Sequence, residues 1–334
     1  VYPDKFVLRT PVPGTQKQSP LPNLSKNSFL RKLEAFQPSA GLTYLFLVIA
    51  TFLWALSTVI SRGIYEEIPA FGLSFWRWVL ATLIFLPFCW RELFFKFSII
   101  KAHLKLILLL GFLQVGSSAL FLFSLNFTTA INAALINAAQ PMLTVFPAWL
   151  LTREKINVAQ GVGILLGLVG ITVMITQGDF GVLAAMDFNI GDIIVLLAIL
   201  GWSIFATILH RLPKELGLTT SLFLIYFSGT VLLLPFYVIE VIFYRTFTFT
   251  GLSIGVIAIL GILVSVGAVS IWTASVRSIG PNRATIFINL IPIFSIVMAI
   301  IFLGEELFLF HFTGAAFVIV GMILVIRMAH KKND

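Results

Sequence analysis

The chain has 334 residues, of which 59% are hydrophobic, 14% aromatic and 11% charged, with a formal net charge of +8. That much apolar side chain exceeds what a water-exposed surface leaves uncovered, so the solvent for most of the molecule is lipid. The basic residues lie in short segments between long apolar runs and form no stripe interleaved with stacking aromatics, which argues against a nucleic-acid partner and for a membrane surface.

Residues 1–40 are a polar tail. Six of the 14 prolines fall here, among Ser, Asn, Gln and Lys, and no continuous apolar stretch of the kind a secretory signal needs precedes a cleavage site. Between Ser28 and Phe36, Phe29, Leu30, Leu33 and Phe36 recur at helical spacing with Arg31, Lys32 and Glu34 opposite. That pattern suits a short helix on an anionic membrane face, or a frayed tail.

Beyond the tail, stretches of about 20 apolar residues, each enough to cross the hydrocarbon as a helix, recur near 42–62, 69–90, 105–125, 128–151, 157–177, 189–209, 219–239, 251–275, 283–303 and 308–327. The expected fold is therefore an all-α integral membrane protein with ten transmembrane helices. The connections near Asn126 and Gly304 are very short. With the amino terminus in the cytoplasm, only Arg62 and Arg245 of the 22 Lys and Arg residues lie on the outer side and only Arg77 within a span. A bias this strong supports both the count and cytoplasmic termini, because one missed helix would invert every later loop. The expected location is the bacterial cytoplasmic membrane.

Two five-helix repeats follow from sliding the chain against itself. Trp54 and Trp202 differ by 148, as do the Pro87-Phe88 and Pro235-Phe236 pairs. Pro141 and Pro292, Glu154 and Glu305, Gly163 and Gly314, and Gly170 and Gly321 differ by 151. The repeats span residues 41–177 and 178–330. Five is odd, so the halves enter the membrane from opposite sides, the plan of many transporters that bind substrate between the halves near mid-membrane.

Several stretches resemble the EamA-type members of the drug/metabolite transporter superfamily. They are Pro69-Ala70-Phe71 followed by Arg77 in FWRWVLA, the fourth span AINAALINAAQPMLTVFPAWLLTREKI, its twin GPNRATIFINLIPIFSIVMAIIFLGEEL, and the Gly-rich spans GVGILLGLVGITVMI and GAAFVIVGMILVI. The resemblance covers roughly residues 42–328. It implies ten helices around a central cavity, with the fifth and tenth peripheral, and a substrate class that ranges over amino acids, sugars, nucleotide-linked metabolites and drugs. Thr152-Arg153-Glu154 departs from the more typical Leu303-Gly304-Glu305 of the second half.

Arg77 is the charge to explain. An ion within a span costs about 2.5–3.5 kcal/mol on insertion scales, so it should face a cavity or a hydrogen-bonded partner. It either meets an anionic group of the substrate or ties neighbouring helices together, and the resemblance, which implies an Arg here in members with unlike substrates, favours the strut. Asn137, Gln140 and Thr144 share one face of the fourth span beside Pro141. Gln114, Ser117, Ser118 and Phe121 form a matching stripe in the third, and Thr285, Asn289 and Pro292 one in the ninth. One such residue alone is more often helix glue. Stripes on repeat-related helices are better explained by a shared polar cavity, and helices interrupted at equivalent places point to a binding site.

Trp54 and Trp202 lie mid-span, each followed at helical spacing by hydroxyls; Trp78, Tyr226 and Trp272 are weaker candidates. The expected cavity is lined by Trp54, Arg77, Gln114, Asn137, Gln140, Trp202 and Asn289. Glu154 and Glu305 close the fourth and ninth spans, where backbone or loop cations are the expected partners. Gly163, Gly167 and Gly170 are spaced to pack the fifth span closely against the bundle or a second protomer, which leaves a homodimer open.

The four histidines sit at span ends, no Asp or Glu lies deep in a span, and Cys89 reads as a buried hydrophobe, so neither a metal site nor an intramembrane protease is expected. No stretch reads G-x-x-x-x-G-K-[ST], so energy should come from a gradient or from exchange, with no cofactor. The expected function is a secondary carrier or exchanger of small charged or zwitterionic metabolites such as amino acids, working by alternating access. A channel-like facilitator and a non-transporting membrane scaffold are the alternatives.

Overall fold

The computed structural model describes residues 40–152, 158–179, 189–213, 215–245, 248–279 and 286–330, all of whose regular structure is helical. The amphipathic stretch Ser28–Phe36 and residues Arg153, Glu154 and Thr285, or the side chains by which they were singled out, lie outside the described residues.

Besides the short helix Phe97–Ala102, the helices are α1 (Ala40–Gly63), α2 (Ala70–Phe95), α3 (Leu104–Ser124), α4 (Ala130–Asn137), α5 (Gln140–Thr152), α6 (Val158–Ile175), α7 (Ile190–Ile208), α8 (Leu218–Phe243), α9 (Gly251–Ser275), α10 (Phe287–Leu303) and α11 (Leu309–His330). Among the described residues, six are long and apolar enough to cross a membrane: α1, α2, α3, α7, α8 and α9. The pair α4 and α5, bent by 44° at its break, adds a seventh when counted as one span. The apolar parts of α6, α10 and α11, Gly161–Ile175, Phe287–Leu303 and Leu309–Leu324, are shorter.

Local chemistry sets the boundaries. Thr129 caps α4 by accepting the Asn132 N–H, Asn189 caps α7 through Gly191, and Thr250 with Ser253 forms a reciprocal capping box at the start of α9. Gly304 ends α10 at φ 66°, a left-handed position that glycine occupies without a Cβ penalty and that allows the short link to α11.

Irregularities recur in register between the halves. A π-helical turn at Phe112–Gly116 in α3 is matched by Ile259–Ala268 in α9. The break between α4 and α5 is matched by the 3-10 turn Ile286–Asn289 at the start of α10, whose α-helical part begins at Leu290. Pro141 and Pro292 each fall within the first three residues of the α-helix after the break, where a missing N–H breaks no intrahelical bond. The interruption therefore lies a few residues before each proline.

Two repeat-related helix pairs pack antiparallel, as inverted halves require. The second and seventh predicted spans, α2 and α8, are joined at both ends by reciprocal carboxylates that also stand 148 residues apart. Glu240 at the end of α8 accepts the Phe71 and Gly72 N–H groups at the start of α2, at 3.1 and 2.7 Å. Glu92 near the end of α2 accepts the Gly217 N–H at 2.9 Å and the Thr220 hydroxyl at the start of α8. Each carboxylate satisfies first-turn donors that have no intrahelical partner and faces the positive end of a helix dipole. The fifth and tenth predicted spans, α6 and α11, meet through their glycines: Gly163 faces Gly321, and a Cβ on Gly170 would lie 2.6 Å from the Gly314 carbonyl oxygen. Gly167 faces Met142 of α5. The three glycines of α6 thus pack against the chain's own bundle.

Candidate functional site

Arg77 lies one-third of the way along α2 and is 5% exposed. Its Nη1 donates to Ser57 Oγ of α1 at 3.4 Å, its Nη2 donates to Ser118 Oγ of α3, and the guanidinium carbon stands 5.0 Å from the Trp78 ring. Its Nε is buried without a hydrogen-bond partner. The ion pairs among the described residues are Arg62 with Glu305 and Lys96 with Glu92. Arg77 therefore rests on two neutral hydroxyls and an aromatic face, a weak environment for a buried cation.

Aromatic pairs flank this centre with the symmetry of the repeats. Trp54 of α1 and Trp272 of α9 have ring centroids 5.1 Å apart, and Trp202 of α7 and Phe121 of α3 have theirs 5.6 Å apart. Trp54 and Trp202 are repeat-equivalent at 148 residues, and Phe121 and Trp272 at 151, so each pair joins the first helix of one half to the third helix of the other. Trp272, a weaker candidate in the sequence, is thus the counterpart of Phe121. Tyr226 and Trp78, the other two, meet at a tilt of 51° with ring centroids 4.5 Å apart, Trp78 being the ring that faces Arg77.

Contacts and helical turns link most of the expected cavity residues into one path. Ser57 lies one turn beyond Trp54 on α1, and Ser118 lies one turn beyond Gln114 and one before Phe121 on α3. Beside Trp202, the Ser203 hydroxyl meets Thr144 Oγ1 of α5 at 3.1 Å, and Thr144 donates in turn to the Gln140 carbonyl at 2.8 Å. Gln114 sits on the π-helical turn of α3, where the widened backbone spacing re-aims side chains. Asn137 ends α4 at the break, with a buried Oδ1 that lacks a partner, and Gln140 begins α5 on the far side of it. Asn289 sits at the equivalent interruption in the second half; the ring contacts beside it, Phe287 with Tyr44 and Phe294 with Phe52, are to α1 and not to Arg77.

Glu305 and several residues without a signal in the sequence gather at the end of the bundle that holds Glu240. Glu305 accepts the Ala130 and Ile131 N–H groups at 2.8 and 2.9 Å and lies 3.9 Å from Arg62, the backbone and cation partners expected of it. Beside it Asp192 is wholly buried, although it stands only in the first turn of its span. Depth along a span and burial inside the bundle are different quantities: the α3–α4 link covers Asp192. His311, at the start of α11, is also buried. A repeat spacing would have found Glu92 and Glu240; no spacing points to Asp192, Asn132 and His311. Among the described residues no group of three His, Cys, Asp or Glu side chains is placed to hold a metal ion.

The model of the EamA-like transporter family matches residues 41–176 and again 189–327, one match for each half. An uncharacterized transporter of Bacillus subtilis strain 168, YyaM, is 26% identical over 255 residues, covering 74% of this chain and 81% of its own length. An uncharacterized transporter of Archaeoglobus fulgidus is 24% identical over 294 residues, covering 86% of this chain and 99% of its own. One crystal structure shares the fold at a TM-score of 0.54 and 15% identity, covering 89% of this chain and 100% of that one. With both halves matched and the apolar helices to cross a bilayer, the chain is an integral membrane protein that belongs to the EamA-like transporter family.

Proposed function

We propose that the protein is a secondary carrier of small metabolites bearing a negative or zwitterionic group, amino acids among them, working by alternating access. Ten spans carry it, with α4 and α5 forming the fourth and α6, α10 and α11 the fifth, ninth and tenth. Both termini lie in the cytoplasm of a bacterial inner membrane, so the Glu305 and Glu240 end is the outer one. Trp54, Arg77, Gln114, Asn137, Gln140, Trp202 and Asn289 line the cavity between the halves.

The observation that carries this reading is Arg77, an interior guanidinium held by two serine hydroxyls, with no carboxylate paired to it among the described residues and an unpartnered Nε. An anionic group of the substrate would supply the missing acceptor in bidentate geometry.

The test begins with a thermal-shift screen of the purified protein against amino acids, nucleotides and other charged metabolites, followed by counterflow of the hits in proteoliposomes. Arg77→Lys keeps the charge and loses the fork, so it should raise the half-saturation concentration about tenfold or more, with Gln140→Ala weakening binding less. Should Arg77→Lys or Arg77→Gln lower the melting temperature and yet bind with unchanged affinity, Arg77 is a strut and the anionic-substrate reading falls.

A further inference from the structure

A buried polar chain joins the outer ends of α4, α7 and α11, away from the substrate path. Asp192 Oδ1 accepts the Thr128 hydroxyl, and Asp192 Oδ2 accepts the Asn132 side-chain amide at 3.3 Å. Asn132 Oδ1 lies 3.0 Å from His311 Nε2, and His311 Nδ1 accepts the Phe308 N–H at 2.9 Å. Because Nδ1 accepts, the neutral ring carries its proton on Nε2 and donates it to Asn132 Oδ1, which leaves the amide hydrogens for Asp192. Each group thus fixes the orientation of the next, from the imidazole to the carboxylate.

Among the described residues no cation closes the chain. The charged neighbours are Arg62 and Glu305, and both are engaged: Arg62 with Glu305 and the Leu125 carbonyl, Glu305 with the first two N–H groups of α4. Among the described residues of the helices packed on α7 and α11, namely α3, α4, α5 and α6, the one charged side chain is Lys105, at the opposite end of α3. The turn after α6, whose Gly178 abuts Phe310, carries Asp179, and Glu306 next to Glu305 is exposed. A carboxylate that is 0% exposed is therefore held by two side-chain donors and the amino-terminal turn of α7. Intramembrane acids of this kind mark proton pathways.

We infer that Asp192 is a proton-binding site, tied through Asn132 to His311, by which transport is linked to protons on the outer side; that link to transport rests on the carrier reading above. A proton taken from the outer water settles on Oδ1, where the Thr128 hydroxyl can turn from donor to acceptor. The Asn132 amide then donates to a neutral acid, and a bond without charge assistance has about half the strength. The tie that runs from α7 through α4 to α11 loosens, and the outer end of the bundle is freer to part.

The test uses the full chain in proteoliposomes and the proton itself as the probe. Infrared difference spectra taken between about pH 5 and 8 should show the carbonyl band of a protonated carboxylic acid growing with acidification, and Asp192→Asn should abolish it. Thr128→Val removes one donor from the carboxylate and should move the midpoint upward by about one pH unit or more. In a Cys89→Ser background, a cysteine at the buried Ala133 should react faster with an impermeant maleimide at acid pH. That acceleration should vanish in Asp192→Asn.

A band that persists in Asp192→Asn, or a labelling profile that keeps its pH dependence there, overturns the proposal. If Asp192→Asn does not fold, an unmoved midpoint in Thr128→Val overturns it instead. None of these readouts needs a substrate, so their failure leaves the carrier reading intact. A working Asp192 titration in a protein that shows no counterflow would retire the carrier reading and keep the proton site.

Discussion

Replacing Glu240 by Gln should destabilise the protein more than the repeat-equivalent Glu92→Gln. The Glu240 carboxylate is 8% exposed and accepts two backbone N–H groups, Phe71 at 3.1 Å and Gly72 at 2.7 Å, at the start of a helix whose N-cap, Pro69, offers no side-chain acceptor. Hydrogen bonds to a charged acceptor contribute about 1.5–3 kcal/mol each and neutral ones about 1 kcal/mol. A glutamine oxygen can keep one of the two bonds as a neutral bond, while its NH2 is set against the other N–H. The net loss is then about 2–5 kcal/mol. Glu92 accepts one backbone N–H together with Thr220 and Lys96, and its side chain is 26% exposed against 33% for Lys96. Water competes there, which brings the expected loss to about 1 kcal/mol. Reversible unfolding in mixed micelles measures both, and the double variant should lose the sum, because the two sites lie at opposite ends of the α2–α8 pair. A Glu240→Gln variant as stable as the parent, or a Glu92→Gln variant that loses more, would refute the reasoning.

The glycine contacts and the topology yield the remaining predictions. Gly170→Leu should lower the melting temperature more than Gly167→Leu. A Cβ at Gly170 meets the Gly314 backbone at 2.6 Å, whereas one at Gly167 meets the flexible thioether of Met142. Equal losses, or none, would show that α6 and α11 do not depend on this close approach. Cysteine or glycosylation tags placed after Lys332, near Lys101 and near Arg211 should report cytoplasm, and tags near Phe180 and Phe247 the outside. A cytoplasmic Phe180 would break the inverted-repeat orientation.

What could be read from the sequence is what repeats. The 148-residue spacing singled out Trp54 and Trp202, and the structure gives each a ring partner that is itself repeat-equivalent. Pro141 and Pro292 marked where the helices are interrupted, but proline suits a first helical turn better than an interior, so the breaks precede them. Glu92 and Glu240 carry the same spacing, but in the sequence a glutamate near the end of a span looks like a solvated flank. Asp192, Asn132 and His311 carry no internal signal: their contacts cross 60 and 179 residues of chain, and each residue alone resembles an ordinary helix start. Periodicity reports the face that a residue occupies; it does not report which distant helix covers that face.

The two kinds of tie differ in what an alternating carrier can do with them. α2 and α8 are fastened at both ends in the same structure, by Glu240 at one and Glu92 at the other, so neither end can part without breaking hydrogen bonds to a charged acceptor. Among the described residues, α4 is fastened by side-chain hydrogen bonds to other helices at the Glu305 end alone, by Glu305 on its first N–H groups and by the Asn132 links to Asp192 and His311. A population shifts only when one conformation loses an interaction that the other keeps. Under the carrier reading, weakening Glu240 therefore lowers the stability of both conformations together, whereas protonating Asp192 removes stabilisation only from the conformation closed at the Glu305 end. If that difference holds, Glu240→Gln changes the unfolding free energy and leaves maleimide access at Ala133 unaltered, while acidification changes access in a protein that remains folded.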